Sequence, residues 1–187
     1  MRAVCMPAVV VLVAVACAPG GSGSAEELFD SPLPETIAVT SAAFEEGGGI
    51  PARHTCDGQG VSPALAWSGV PAEAVELAVV VDDPDAPGGT YVHWVLSGLS
   101  PALDGLGEGE VPEGARQARS SAGEPGYEPP CPPGGSEHRY RFAVYALGAG
   151  SGLPDGAGAD EALPAIGRAA LARGVLVGYY RREQSPG

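Results

Sequence analysis

Three short segments hold residue types that plain turns and strands do not need. The first is Asp82-Asp83-Pro84-Asp85-Ala86-Pro87. The second is Tyr91-Val92-His93-Trp94. The third runs from Pro129-Pro130-Cys131-Pro132-Pro133-Gly134-Gly135 into His138-Arg139-Tyr140. Imidazoles donate hydrogen bonds to phosphate or carboxylate oxygens, and more strongly when protonated. A carboxylate such as Asp83 can hold an imidazole in one tautomer and favour its charged form. Each segment also has a plainer reading. Asp and Pro are turn residues, and a lone strand His is more often a satisfied core residue. A Pro-dense loop before an exposed His can be simply rigid.

The elements that must position these residues are mostly strands. Val75–Val81 is β-branched and continuous, as a buried central strand would be. Ile37–Phe44, Tyr91–Leu96, Tyr140–Leu147 and Val175–Arg181 read as further strands. Asp82-Asp83 then falls in a loop after the central strand, stiffened by Pro84 and Pro87. Strand alternation places Tyr91 and His93 on one face and Val92 and Trp94 on the other. It likewise pairs His138 with Tyr140. One helix is expected over Asp160–Arg173, with Gly174 as its stop. Asp160 and Glu161 at its start, and Arg168 and Arg173 toward its end, suit the helix dipole. The polar, Gly-rich stretch Gly105–Glu128 reads as a long irregular connection. A Pro-dense loop cannot pair as a strand, so it covers or lines something.

The 187 residues suit one domain after removal of a leader. The net charge of −13 repels nucleic acid and anionic surfaces, and no basic patch offsets it. All ten basic residues are Arg. The Ala, Gly and Pro excess is that of a GC-rich bacterial genome. Met1-Arg2 and the apolar stretch Ala8–Ala16 read as a secretory signal over residues 1–16, too short to span a bilayer. Ala14-Val15-Ala16-Cys17 resembles the lipobox of bacterial lipoproteins, which makes Cys17 the lipidated residue. Residues 17–32 then form anchor and tether, and the folded domain covers 33–187. Two cysteines remain, Cys56 and Cys131. An even count in an oxidising compartment points to a disulfide between them.

Taken together, these residues resemble the phosphatidylethanolamine-binding protein family, in its bacterial, Raf-kinase-inhibitor-like branch. The Asp-Pro-Asp-Ala-Pro run, the His-Trp strand, the Pro-rich loop and His-Arg-Tyr stand in the family's order. Thr55-Cys56-Asp57-Gly58 and Ser62-Pro63-Ala64-Leu65-Ala66-Trp67 add to the likeness, which spans Ile37 to Arg181. The resemblance implies a mostly β fold, an antiparallel β-sandwich with minor flanking helices. It implies an anion pocket built from Asp83, His93 and His138, with Tyr140 and the Pro-rich loop (Pro130, Pro132) as wall. Asp85 and Tyr91 are counted with this ligand set. Two departures are visible. Pro129 stands where the family loop opens with Gly, and the chain ends before the C-terminal helix that closes the pocket in animal members.

The expected function is therefore an exported, membrane-anchored binding protein for a small anion. Its ligand would be phosphate, a carboxylate or a phospholipid head group, with no cofactor, metal or nucleic acid. The competing readings are a hydrolase using Asp83, His93 and His138, a zinc site from the same three residues, and a protease or kinase inhibitor acting through its surface. No Gly-x-Ser-x-Gly elbow supports the hydrolase.

Overall fold

The β-branched run Val79-Val80-Val81 lies at the centre of the molecule, with no exposed surface at any of the three residues. A computed structural model describes residues 25–183. The signal, Cys17 and residues 18–24 of the tether lie outside the described residues. The elements in chain order are helix α1 (Ala25–Phe29), strands β1 (Ala38–Thr40), β2 (Gly48–Gly49), β3 (Leu65–Ser68), β4 (Glu76–Asp83), β5 (Tyr91–Leu99), β6 (Gly105–Leu106), β7 (Arg116–Gln117) and β8 (Glu137–Leu147), helix α2 (Ala159–Ala169) and strand β9 (Ala170–Arg181).

Six strands form one sheet in the order β2-β9-β8-β4-β5-β7, and three form a second in the order β1-β3-β6. All pairings are antiparallel except the two-residue contact of β2 with β9. The sheets pack face to face. Val39, Leu65, Trp67 and Leu106 of the small sheet meet Leu77, Val79, Val81, Trp94, Phe142 and Val144 of the large one. The opposite face of the large sheet is covered by α1 and α2, where Ala78, Val80 and Tyr145 meet Leu28, Phe29, Leu163 and Ile166. This is the β-sandwich with minor flanking helices that the resemblance implied. Among the described residues no helix is long and apolar enough to cross a membrane.

Four expectations need correction. The central strand runs on through Asp82 and Asp83 instead of ending before them. Both aspartates take ladder positions, opposite Val92 and Tyr91, so strand pairing holds them and the proline loop begins only afterwards. The expected helix ends at Ala169, and Gly174 lies inside β9 opposite Val144. A Cβ at Gly174 would sit 1.9 Å from the Ile37 carbonyl oxygen, so this glycine serves a close backbone approach and not a helix stop. The expected strand Ile37–Phe44 shortens to Ala38–Thr40.

Helix α1, which precedes Leu33, also packs onto the sandwich. Ala25, Leu28 and Phe29 are buried, and the docking is polar as well as apolar. Arg141 places its guanidinium 3.9 Å from the centroid of the Phe29 ring, a cation–π geometry. Arg173 donates to the Leu28 and Phe29 carbonyls, satisfying acceptors that every helix end leaves open. The Phe29 ring meets Tyr145 edge-on.

Arg141 also donates through Nε and Nη2 to the two Asp82 oxygens, at 2.8 and 2.6 Å. Asp82 is fully buried. Burial pushes its carboxyl up to about 6, against the pull of the Arg141 fork.

Candidate functional site

In antiparallel neighbours the end of one strand lies beside the start of the next. The order β8-β4-β5 therefore brings the start of β8, the end of β4 and the start of β5 to one end of the sandwich. Asp83 pairs in register with Tyr91. By alternation Asp83 continues the row of Leu77, Val79 and Val81, and His138 and Tyr140 continue the row of Phe142 and Val144. All of these point to the inter-sheet side.

His93 reaches the same place by a different route. Val81 lies opposite Trp94, but Asp82 lies opposite Val92. His93 is thus the extra residue of a β-bulge, with two residues of β5 facing one of β4. The bulge overturns the expected alternation. Trp94 packs between the sheets and Val92 packs against the helical side. They share no face, and His93 lies beside Tyr91 while Trp94 still enters the core.

Asp83, Tyr91, His93, His138 and Tyr140 line one cavity of about 390 Å³, closed on its other side by Ala86, Pro87 and the Pro-rich loop from Glu128 to Pro133. The Asp83 carboxylate is occupied on both oxygens. Oδ2 lies 2.7 Å from Nδ1 of His138, and Oδ1 accepts the Asp85 backbone N–H at 2.8 Å. Nδ1 of His93 donates to the Glu128 carbonyl at 2.8 Å, and the Glu128 N–H returns a bond of equal length to the His93 carbonyl. Both rings therefore spend Nδ1 on the protein, which leaves Nε2 as the free nitrogen. The Tyr140 hydroxyl is buried without a hydrogen-bond partner, a rare and costly state that a ligand oxygen would relieve.

Burial dominates the electrostatics. It pushes the His93 imidazole below its ordinary value, opposed by its bond to Glu128 and by the Asp83 charge. It pushes the Tyr140 phenol far up, and the neighbouring Asp83 charge adds to the shift. Tyr91 is raised by burial and by the Glu128 charge.

Two candidates from the sequence do not face the cavity. Asp85 turns outward and clamps Arg139, accepting its backbone N–H at 3.0 Å and its guanidinium at 3.0 and 3.2 Å. Pro130 is buried behind the wall, and its carbonyl accepts the Cys56 N–H at 3.1 Å. Pro132, by contrast, does line the cavity. Ala86, Pro87, Pro133 and Glu128 were not anticipated. The signal for Glu128 was its place directly before a loop already assigned as wall. Among the described residues no three His, Cys, Asp or Glu side chains converge as a metal site.

Cys56 and Cys131 are disulfide-bonded across 75 residues, with Cα atoms 5.4 Å apart. Cys131 belongs to the cavity wall. A loop with so many prolines has few N–H groups to hold it, so the covalent bond supplies what hydrogen bonds cannot. Replacing both cysteines with serine is expected to lower unfolding stability by about 4 kcal/mol. Urea unfolding of the double variant beside the oxidised parent measures it, and equal midpoints would refute the bracing role.

A sandwich that gathers two imidazoles, a carboxylate and a buried phenol at one end, under a proline-rich wall, is an arrangement of one recognisable class. The sequence model of the phosphatidylethanolamine-binding protein family matches residues 40–181, and the chain belongs to that family. Among its relatives is a Mycobacterium tuberculosis protein named "Putative lipoprotein LppC", 43% identical over 80% of this chain and 75% of its own length. A protein of Methanothermobacter thermautotrophicus named UPF0098 protein is 44% identical over 75% of this chain and 95% of its own. Among solved structures, a phosphatidylethanolamine-binding protein homolog from Chlamydia trachomatis aligns with TM-score 0.74 and 38% identity, covering 80% of this chain and 99% of its own. YbcL of E. coli, described as a member of the mammalian family, aligns with TM-score 0.74 and 29% identity, covering 78% and 98%.

Proposed function

We propose that this protein is an envelope-anchored binding protein for a small acidic ligand, held by the cavity at the strand ends. The ligand is a phosphate, a carboxylate or a phospholipid head group. One observation carries the reading: three polar groups without protein partners, Nε2 of His93, Nε2 of His138 and the Tyr140 hydroxyl, converge on one cavity. The groups that orient them, Asp83 and the Glu128 carbonyl, hold them from behind. The wall carries no serine, threonine or free thiol, so it offers a hydrolase no hydroxyl or thiol nucleophile of the Ser, Thr or Cys kind. The anchor rests on the Ala14-Val15-Ala16-Cys17 sequence and on the relative whose printed name is that of a lipoprotein. Signal removal, lipidation of Cys17 and attachment to the membrane face outside the cytoplasm belong to the same proposal.

The pH dependence tests it. With its pKa held below the ordinary value by burial, His93 is neutral at pH 8 and its Nε2 is an acceptor that faces the ligand's lone pairs. Protonation turns Nε2 into a charged donor. Affinity for an anion therefore rises as pH falls, in a cavity where Asp83, His138, Glu128, Tyr91 and Tyr140 also face the ring. Acetate is the suitable probe because its own ionisation is complete across this range. Its affinity should rise about 3–10-fold from pH 8 to pH 6, followed on the His93 and His138 ring signals by NMR. His93→Gln should flatten the rise. Saturable shifts on neither ring, at millimolar acetate, phosphate or phosphoethanolamine, would overturn the pocket reading.

A further inference from the structure

The wall that closes the cavity has few bonds of its own. Residues 129–133 read Pro-Pro-Cys-Pro-Pro, so Cys131 alone among them carries a backbone N–H. This stretch is tied to the turn over residues 52–60. The Cys56 N–H donates to the Pro130 carbonyl at 3.1 Å. Just before the wall, the Tyr127 hydroxyl donates to the His54 carbonyl at 3.1 Å. The third tie is the bond between the two sulfurs.

The two ends of that disulfide differ. The Cys56 end is firmly held. The N–H groups of Thr55, Gly58, Gln59 and Gly60 all bond to carbonyls within the turn. Asp57 accepts from the Tyr180 hydroxyl at 2.7 Å and from Nε of Arg182 at 3.1 Å, which fixes the turn to the end of β9. Exposure runs the same way. Cys56 is exposed, whereas Cys131 is buried and lines the cavity. A reagent arriving from solvent therefore meets Cys56, and the sulfur it sets free belongs to the wall. Exposed disulfides are the exchangeable ones.

The structure assigns Cys56 as a thiol-exchange site through which a small thiol loosens the wall of the ligand cavity. The thiolate's lone pair forms a new S–S bond with Sγ of Cys56. The electron pair of the old bond leaves with Sγ of Cys131, which takes a proton from water. The product is a mixed disulfide at Cys56 and a thiol at Cys131. A second thiol attacks the reagent sulfur of the mixed disulfide, releases the reagent's own disulfide and leaves both cysteines reduced. A ligand must then order the loosened wall as it binds. The coupling is reciprocal: the factor by which reduction weakens the ligand is the factor by which the ligand disfavours reduction. This gating rests on the pocket reading above.

The test treats the purified protein with cysteine as the thiol, quenches with iodoacetamide and reads each cysteine by peptide mass spectrometry. The cysteinyl adduct should appear on Cys56 and the alkyl group on Cys131. Acetate affinity, followed on the His93 and His138 ring signals, should fall about 3–10-fold on full reduction, the scale of one or two wall side chains ordered anew on binding. Saturating acetate should lower the reduction midpoint in cysteine–cystine mixtures by the same factor, about 15–30 mV for a two-electron couple. Core signals of Trp94 and Phe142 that persist after reduction support a gate; their loss would make the bond a staple of the fold and overturn the assignment. So would an adduct on Cys131, exchange only in unfolding concentrations of urea, or an acetate affinity and midpoint that do not move. Each of these leaves the pocket reading standing. No acetate binding by the oxidised protein would remove that reading, and the gating with it.

Discussion

Replacing Asp83 with alanine should lower the affinity of the pocket for acetate or ethyl phosphate by about 10–100-fold, taking as guide the range for removal of a carboxylate that orients a metal-ligating histidine. Asp83 need not touch the ligand for this. Its Oδ2 fixes Nδ1 of His138 at 2.7 Å, which directs Nε2 into the cavity. Its negative charge also balances the Nδ1 donor that it holds. Asp83→Asn separates the two roles. The amide oxygen can still accept from Nδ1, so orientation survives and the balancing charge does not, and the loss should be smaller than for alanine. The same truncation leaves the buried His138 Nδ1 without a partner, at a stability cost of roughly 1–3 kcal/mol. NMR titrations of the three proteins decide the matter. An affinity in Asp83→Ala equal to wild type would show that His138 needs no carboxylate behind it.

The second large effect lies on the opposite face of the same strand. Arg141→Met leaves Asp82 buried without its ion-pair partner, a change of the kind that costs about 3–5 kcal/mol. The cost should depend on pH, and its sign follows from the carboxyl. Burial holds Asp82 up to about 6 in the folded protein, above the ordinary unfolded value of roughly 3.9. A raised carboxyl pKa means that folding disfavours the ionised form. Stability is lost as pH rises from the unfolded value to the folded one, then stays level. Without Arg141 the folded value rises further, so the variant continues to lose stability above pH 6, where the wild type has levelled off. Urea unfolding at pH 5 and pH 8 should therefore show a small difference at the first and roughly 3 kcal/mol at the second. The variant also loses the contact with the Phe29 ring, so hydrogen exchange in α1 should quicken. An equal deficit at both pH values would mean that lost packing, not the stranded carboxylate, is the cause.

Much of the fold was legible because strands announce themselves by residue type. Val79-Val80-Val81 has little choice but the centre of a sheet, and Tyr140–Leu147 and Val175–Arg181 fell in β8 and β9. The disulfide was legible from the cysteine count once export was inferred. The faults came where local pattern is blind. Alternation assumes an unbroken ladder, and the bulge at His93 breaks it, so Val92 and Trp94 were given a common face that they do not have. Gly174 reads as a helix stop in isolation, and only the Ile37 carbonyl packed against it shows why glycine is there. Pro130 and Asp85 have the right type and place in the chain, yet one carbonyl bond and one arginine turn them away from the cavity.

The sequence alone determined the chemical inventory of this protein: two histidines, an aspartate and a tyrosine near strand ends, a proline-rich wall, two cysteines and the family pattern that joins them. Residue type sets what a side chain can donate, accept or titrate, and no folding is needed to know it. Only the tertiary structure decided which nitrogen of each imidazole is spent on the protein, that the Tyr140 hydroxyl at the cavity is left unpaired, and that Glu128 faces the same space. Those are matters of distance between strands far apart in the chain. They are settled by ladder register and by the competition of each polar group for partners within about 3 Å, and neither is written in the order of residues along one strand.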